Sequence, residues 1–291
     1  MQGSHESGSS PFSICGAKRA WYSRDIFTRE WVPQASLSAA VPPKVLPKMR
    51  QNTKYLDFQY IFTFAEGDPI RFDLSVKLPD LTLVRSPIEN SPEWTRLSHH
   101  QCPNCSLTEA GSQFCPMALS IQSLIDAFQD KPSFDQVTVT VITQQRTYSK
   151  SLALQRGISS LMGLYMATSG CPVMDKLRPM VRYHLPFASL DETIYRATSM
   201  YLFSQYLVFK KGGKPDWEMK KLVKIYQDIR VLNENFCKRI NSLKIKDANV
   251  NAVVILNNFA DILPCSLNDD LVFSLAEYFQ PYLETQPEEL S

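Results

Sequence analysis

The stretch that decides the fold is YLDFQYIFTFAEGDPIRFDLSVKL, residues 55–78. Apolar and polar side chains alternate along it on both sides of the turn sequence EGDP, residues 66–69. Because a period of two sends successive side chains to opposite faces of a strand, the pattern predicts an antiparallel hairpin with one buried face.

The same alternation predicts a second pair of strands further along the chain. Valine alternates with threonine over residues 137–141, and residues 146–149 are their expected partner. A short strand is expected over residues 94–97. Between these strands one helix is predicted, with Cys115 as its cap and Pro116 at its first position, where the missing N–H of proline costs nothing. Its apolar stripe consists of Met117, Ile121, Leu124, Ile125 and Phe128.

The chain beyond residue 151 has a helical pattern. A capping box of Ser189 and Glu192 predicts the start of a helix that runs to residue 210. This helix is apolar on nearly every side, so we expect it at the centre of a bundle. The other predicted helices span residues 154–169, 216–244, 250–263 and 271–283, the last opened by a cap at residues 266–269.

These patterns predict an α+β protein, with a small antiparallel β-sheet and a covering helix followed by a C-terminal all-α helical bundle. Three segments are expected. Residues 1–48 are predicted to be a disordered extension or the product of a mistaken start, since they are rich in Ser, Gly and Pro and Met49 precedes the first regular structure. Residues 49–150 form the sheet unit, and residues 151–291 form the bundle.

Composition narrows the class of protein. The chain has 291 residues, 44% of them hydrophobic, so it can bury a sizeable core. A formal net charge of +2 argues against a dedicated nucleic-acid binder. We find no run of eighteen apolar residues and no secretory signal, which predicts no membrane association. Seven cysteines without framework spacing are typical of reduced thiols, so we expect a cytoplasmic protein.

Four cysteines form a candidate metal site: Cys102, Cys105, Cys115 and Cys171. Four thiolates that converge on one point satisfy a tetrahedral metal ion. Cys102 and Cys105 are expected in a loop, whereas Cys115 and Cys171 each precede a proline expected to open a helix. Backbone N–H groups there should lower the pKa of each thiol. Because the four residues come from both units, the site would clamp the sheet unit to the helical bundle.

The spacing leaves the occupant open. Zinc is slightly favoured, because a closed four-cysteine loop site is typical of structural zinc. A 4Fe-4S cluster is the alternative and would make the chain an iron-sulfur redox protein. Ordinary buried thiols and, less favoured, a CxxC thiol oxidoreductase that uses Cys102 and Cys105 complete the possibilities. Whether the chain is an enzyme stays open, and a binding or regulatory role is the leading interpretation.

A second constellation follows Cys171. Arginines and a histidine near a helix start can hold an anion, which makes this region a candidate surface for a small anionic ligand or a protein partner. The alternative is that these side chains pair locally, for example Glu192 with Arg196 one helical turn later. The candidate ligand-binding residues are Arg178, Arg182, His184 and Arg196.

Five short strings resemble those of an uncharacterised bacterial protein family. They are HQCPNC at 100–105, CPMA at 115–118, SGCP at 169–172, LRPM at 177–180 and HLPFA at 184–188. The resemblance covers about residues 54–285 and leaves the first 48 outside. The family has no established activity, so the resemblance implies no catalytic residue and no substrate. It does imply that the four cysteines belong together as one unit.

Overall fold

The computed structural model describes residues 54–85, 91–267 and 276–284. The predicted extension over residues 1–48 lies outside them. The predicted hairpin is confirmed as β1 and β2, and the valine-threonine pair is confirmed as β4 and β5. The strands are β1 (Tyr55–Thr63), β2 (Ile70–Lys77), β3 (Thr82–Leu83), β4 (Gln136–Thr143) and β5 (Thr147–Ala153).

The five strands form one antiparallel sheet in the order β3-β2-β1-β4-β5. β1 is central, and Tyr60 lies opposite Phe72 on one side and Val141 on the other. These three side chains are buried with the rest of the inner face. The outer face carries polar cross-strand pairs, such as the Gln59 amide that donates to Asp73 at 2.7 Å. The alternation in the sequence therefore separates the two faces as expected.

Seven α-helices accompany the sheet in the described residues. They are α1 (Pro116–Phe128), α2 (Leu154–Thr168), α3 (Arg178–Arg182), α4 (Leu190–Lys210), α5 (Lys220–Asn241), α6 (Ala248–Leu267) and α7 (Gln280–Leu283). Short 3-10 turns lie at Glu93–Thr95, Met174–Leu177 and Glu277–Phe279. The α+β class predicted from the sequence is confirmed. The boundary expected near residue 150 stays a prediction, and apolar side chains of the sheet and the helices share one core.

Helix α2 lies against the inner face of the sheet at a glycine. A Cβ atom added to Gly157 would lie 2.8 Å from a Val139 methyl group and 2.9 Å from the Phe62 ring. No side chain fits at that separation without displacing its neighbours. Gly157 therefore permits the close approach of the start of α2 to β1 and β4.

Three sequence predictions about regular structure are wrong. Residues 94–97 form the end of a 3-10 turn and one isolated bridge between Arg96 and Phe114, because the preceding Pro92 starts a tight turn whose Thr95 hydroxyl donates back to the Pro92 carbonyl. Ser266 does not cap a new helix, since it lies inside α6 and its hydroxyl donates to Ile262. Residues 268–275 lie outside the described ranges.

The third error concerns α4. Its capping box is confirmed, with Ser189 accepting from the backbone of Glu192 at 3.2 Å. The helix is not central, however, because Phe203 and Phe209 in its second half are exposed. Only one side of α4 packs against α3 and α6. The apolar composition of α4 predicts that it is buried, but the neighbouring helices do not cover its second half.

One helix within the described part of the chain is long and apolar enough to cross a membrane. It is α6, whose most apolar eighteen-residue window has a mean hydropathy of 1.4. α6 packs against α2 and α5 and buries Ala252 and Leu263. Core helices of soluble proteins have the same length and composition, so this feature is weak support for a membrane span.

Candidate functional site

The first two cysteines lie in a loop whose ends are paired. The Leu97 N–H donates to the Gln113 carbonyl at 3.0 Å, and the Cys115 N–H donates to the Thr95 carbonyl at 2.8 Å. Residues 98–112 therefore leave the core and return to it at nearly the same place. This pairing brings the loop that carries Cys102 and Cys105 to the start of α1.

Within that loop, Cys102 and Cys105 stand at the two ends of a tight turn. The Cys105 N–H donates to the Cys102 carbonyl at 3.0 Å. The Cys102 thiol donates to the carbonyl of Leu232 on α5 at 4.0 Å, and the Asn104 amide donates to the carbonyl of Asp228 at 2.9 Å. The loop is thus held against α5 by backbone groups of that helix.

Cys115 and Cys171 occupy the ends of helical segments. Cys115 is the cap of α1 and Pro116 is its first residue, as predicted. Cys171 follows Gly170, which ends α2 with a φ of 82°. The Cys171 carbonyl accepts from the N–H of Asp175 at 2.9 Å, which starts the 3-10 turn at Met174–Leu177. A glycine is required at 170 because an L side chain strains that backbone conformation.

The four cysteines line one small cavity of about 20 Å³, which we name the cysteine cavity. This volume is close to the space of a single water molecule. Other lining side chains are mostly apolar, and they include Leu232 from α5. The only charged group among them is Arg239. The structure thus brings together the four cysteines that the sequence singles out, from three separate segments of the chain.

Burial keeps two of these thiols protonated. It raises the pKa of Cys102 to about 12, and the charges of Cys115, Cys171 and Cys105 raise it further. Burial also raises the pKa of Cys171 to about 11, although N–H groups of Met174 and Val173 act in the opposite direction. The expectation of a lowered thiol pKa is therefore wrong for Cys171, because desolvation outweighs the helix-end N–H groups.

Among the described residues, no group of three or more His, Cys, Asp or Glu side chains has the arrangement of a ready metal site. Two of the four thiols in the cysteine cavity, those of Cys102 and Cys171, are protonated at neutral pH because burial raises their pKa. Metal ligation requires thiolates. The donor set is therefore suited to a thiophilic ion that displaces the thiol protons on binding.

Arg239 is a component of this cavity that sequence reasoning missed. Its side chain is only 2% exposed, and it donates to the carbonyls of Trp94 at 2.6 Å, Arg96 at 2.7 Å and Leu97 at 3.3 Å. A signal was present. Three residues after Phe236 and one before Ile240, Arg239 falls within the apolar stripe of its helix, where a charged residue is unexpected.

The second constellation is organised around His184. Its Nε2 lies 2.6 Å from the Tyr60 hydroxyl, which lies 3.1 Å from the Ser160 hydroxyl. We name these three residues the His184 cluster. The His184 ring also packs edge-on against Phe58. Burial lowers the pKa of His184 to about 3, with a smaller effect from the charge of Arg196, so the imidazole is neutral.

The three candidate arginines do not share one anion site with His184 in this structure. Arg178 pairs with Asp175 and donates to the Asp80 carbonyl at 3.0 Å. Arg196 donates to the carbonyls at the end of α3, those of Met180 at 3.1 Å and Tyr183 at 3.0 Å. The local pairing expected between Glu192 and Arg196 is replaced by these contacts.

Arg182 alone among the three is exposed, and its guanidinium lies 5.7 Å from the centroid of the Tyr183 ring. Tyr60 and Ser160 were missed from the sequence for different reasons. Tyr60 reads as an inner-face residue of a strand, and Ser160 as one small residue of a helix. Neither position carries a spacing that predicts contact with residue 184.

Comparisons with known proteins identify a family but no individual relative. No curated protein matches the chain, and no solved structure matches it. One family model matches residues 58–280, which include all four cavity cysteines and the His184 cluster; its description is "Domain of unknown function (DUF6901)". The match covers most of the chain and fits the extent of the resemblance seen in the sequence. The chain therefore belongs to the DUF6901 family.

Proposed function

We propose that this chain is a cytoplasmic metal-binding protein, with zinc held by Cys102, Cys105, Cys115 and Cys171. The observation that supports the proposal is the cysteine cavity, where four thiols from three chain segments surround one small space. Four sulfur donors are the ligand set of structural zinc sites. Bound there, the ion would join the loop at 98–112, the start of α1 and the end of α2.

The size of the cavity favours a single ion over a cluster. About 20 Å³ accommodates one atom-sized occupant. An iron-sulfur cluster with several iron and sulfide atoms needs the surrounding loop and helix to move apart, whereas zinc needs the thiols to lose protons and turn toward one point. The iron-sulfur redox protein stays our alternative, since its ligand set is the same.

A thiol oxidoreductase is less favoured on chemical grounds. Such an enzyme attacks its substrate with a thiolate, which requires a pKa near or below the ambient pH. Burial raises the pKa of Cys102 to about 12 instead, so that the thiol stays protonated at neutral pH. We assign no reaction to the site, and we propose that the metal serves a binding or regulatory protein by holding its two halves together.

The test is metal analysis of the full chain purified without oxygen or chelator. We expect a colourless protein with one zinc per chain. Serine substitutions at each of the four cysteines should abolish stoichiometric zinc. Cys237→Ser is the matched control, because Cys237 is a half-buried thiol on α5 that does not line the cavity.

Two results would redirect the proposal. A brown protein with iron and acid-labile sulfide would replace zinc by a cluster. A metal-free protein in which Cys102 and Cys105 form a reversible disulfide would favour the thiol oxidoreductase. Binding of a small anionic ligand or a protein partner near Arg182 stays a separate prediction, to be tested by titration with inorganic phosphate.

A further inference from the structure

The buried guanidinium of Arg239 is unusual because it has no acidic partner. It forms no ion pair with a carboxylate in the part of the chain that the structure describes, and its three hydrogen bonds go to neutral carbonyls. Arginine is almost never fully buried unless it is paired. An unpaired cation taken out of water is costly, and carbonyl dipoles offset only part of that cost.

The groups near Arg239 that can carry negative charge are cysteines. The charges of Cys115, Cys102 and Cys105 all favour the charged form of this arginine, and Arg239 itself lines the cysteine cavity. Arg239 lines this cavity without a carboxylate beside it among the described residues. A negative charge appears there when the thiols ligate a divalent ion, since four thiolates exceed its charge by two.

We propose that Arg239 is the counter-charge of an anionic metal-tetrathiolate centre. This inference rests on the proposed function, because it requires a metal at the four cysteines. Arg239 would stabilise the thiolates from the side of α5 without ligating the ion. Partners of this kind around a metal site typically change its affinity by about 10- to 100-fold when they are removed.

Arg85 supplies a second, weaker positive charge. Its guanidinium donates to the Ser169 carbonyl beside Cys171. The charge of Cys115 favours the protonated form of this guanidinium. Arg85 is more exposed than Arg239, so water screens its charge. Together the two arginines can neutralise the excess charge of a divalent tetrathiolate, with the larger share from Arg239.

A consequence is that metal affinity and the packing of α5 are linked. Arg239 holds α5 to the backbone of residues 94–97, which leads into the cysteine loop. An anionic centre that attracts Arg239 strengthens this contact, and by reciprocity the contact strengthens the site. The centre therefore responds to any partner that shifts α5.

The experiment compares Arg239→Lys with Arg239→Gln in the full chain. Zinc affinity is measured by competition with a chromophoric chelator, and cobalt(II) substitution reports tetrathiolate coordination by its absorption. Lysine keeps the charge and glutamine keeps a neutral donor for the carbonyls. We expect glutamine to weaken zinc binding by about 10-fold or more, and lysine by only about 3-fold. Arg230→Gln is the matched control, since Arg230 is an exposed residue of the same helix that pairs with Glu234.

Each outcome has one meaning. Equal loss in the lysine and glutamine variants assigns Arg239 a hydrogen-bonding role and overturns the counter-charge. Unchanged affinity in the glutamine variant overturns it as well. If Arg239→Gln does not fold, Arg239→Lys decides, because a counter-charge predicts that lysine keeps zinc affinity within about 3-fold, and a loss of about 10-fold or more would overturn it. If the wild-type chain binds no zinc, the proposed function itself is wrong. This result is distinct from a wild-type chain that binds zinc and variants that contradict only the role of Arg239.

Discussion

The cysteine cavity and the His184 cluster are both groups of buried and half-buried polar side chains beside the core, but they differ in how their polar atoms are satisfied. In the His184 cluster one consistent chain of neutral donors exists. The Phe187 N–H donates to the Ser160 hydroxyl, this hydroxyl shares a hydrogen bond with that of Tyr60, and the Tyr60 hydroxyl shares one with Nε2 of His184. In the cysteine cavity a buried cation lies beside the thiols of Cys102 and Cys171, which burial keeps protonated. The hydrogen bonds of the His184 cluster are sufficient as structure, whereas the buried charge of Arg239 is what the proposed metal-thiolate centre would offset.

The largest expected effect comes from removing the metal. Structural zinc contributes about 10–16 kcal/mol to the folding of small zinc peptides, and a chain with its own core should lose a smaller share, on the order of 5 kcal/mol. We expect a strong chelator to lower the Tm by about 10 °C or more. Calorimetry with and without chelator measures this.

Cys115→Ser provides the control for that experiment. Its Tm should match that of the chelated wild type and should not respond to chelator. If the wild-type Tm stays constant after zinc has left, the cysteine cavity does not clamp the two halves of the chain, and it would resemble the His184 cluster.

Acid should act on the His184 cluster. The pKa of His184 is lowered to about 3, from 6.5 in the unfolded chain. The unfolded chain therefore takes up a proton between these values that the folded chain does not, so stability is constant above pH 6.5 and falls as the pH decreases. The slope from this residue is at most about 1.4 kcal/mol per pH unit.

His184→Gln should flatten that part of the stability-pH curve, because glutamine can still bond to Tyr60 but does not titrate. Urea unfolding at several pH values between 4 and 7 measures the slope. The experiment is best done on chelated protein, since acid also releases zinc by protonating thiolates. An unchanged slope in the variant would show that His184 is not the titrating group.

Removal of one hydroxyl group should have a smaller effect. Tyr60→Phe leaves the ring in place but breaks the chain between Ser160 and His184. We expect a loss of about 1–2 kcal/mol in the free energy of unfolding, with zinc content unchanged. Loss of zinc in this variant would mean that the two polar regions are coupled.

The smallest expected effect is a gain. Asn233 on α5 is 1% exposed, and neither atom of its amide has a hydrogen-bond partner among the described residues. An unsatisfied buried amide costs about 1–3 kcal/mol, so Asn233→Leu should raise the free energy of unfolding by about 1 kcal/mol. Denaturant unfolding measures this, and a decrease would indicate that the amide has a partner of its own.

The sequence was sufficient for the elements that a period controls. β1 and β2 follow from alternation, because each strand has one wet face and one buried face. α1 follows from its stripe and from Cys115 and Pro116 at its start. α4 was placed wrongly, because an apolar surface predicts burial only where a neighbour covers it, and that depends on packing at a distance.

The site divides in the same way. The four cysteines are recognisable because cysteine is a rare residue and three of the four lie close together in the sequence. Arg239 and Tyr60 were not recognised, since an arginine on a helix and a tyrosine on a strand are ordinary residues until the fold places them beside a thiol or an imidazole. What a local pattern cannot supply is the identity of the groups that face each other across the core.

The position of Arg239 far along the chain has a consequence for biosynthesis. All four cysteines precede it, the last of them by 68 residues. At about 5–20 residues per second, a ribosome delivers the complete set of thiols roughly 3 to 14 seconds before the arginine. During that interval the nascent chain presents four reduced sulfurs without the helix that covers them. We expect oxidants and competing thiophilic ions to react with these thiols during that interval. In an oxidising lysate the yield of folded protein should therefore fall before the stability of the folded protein does.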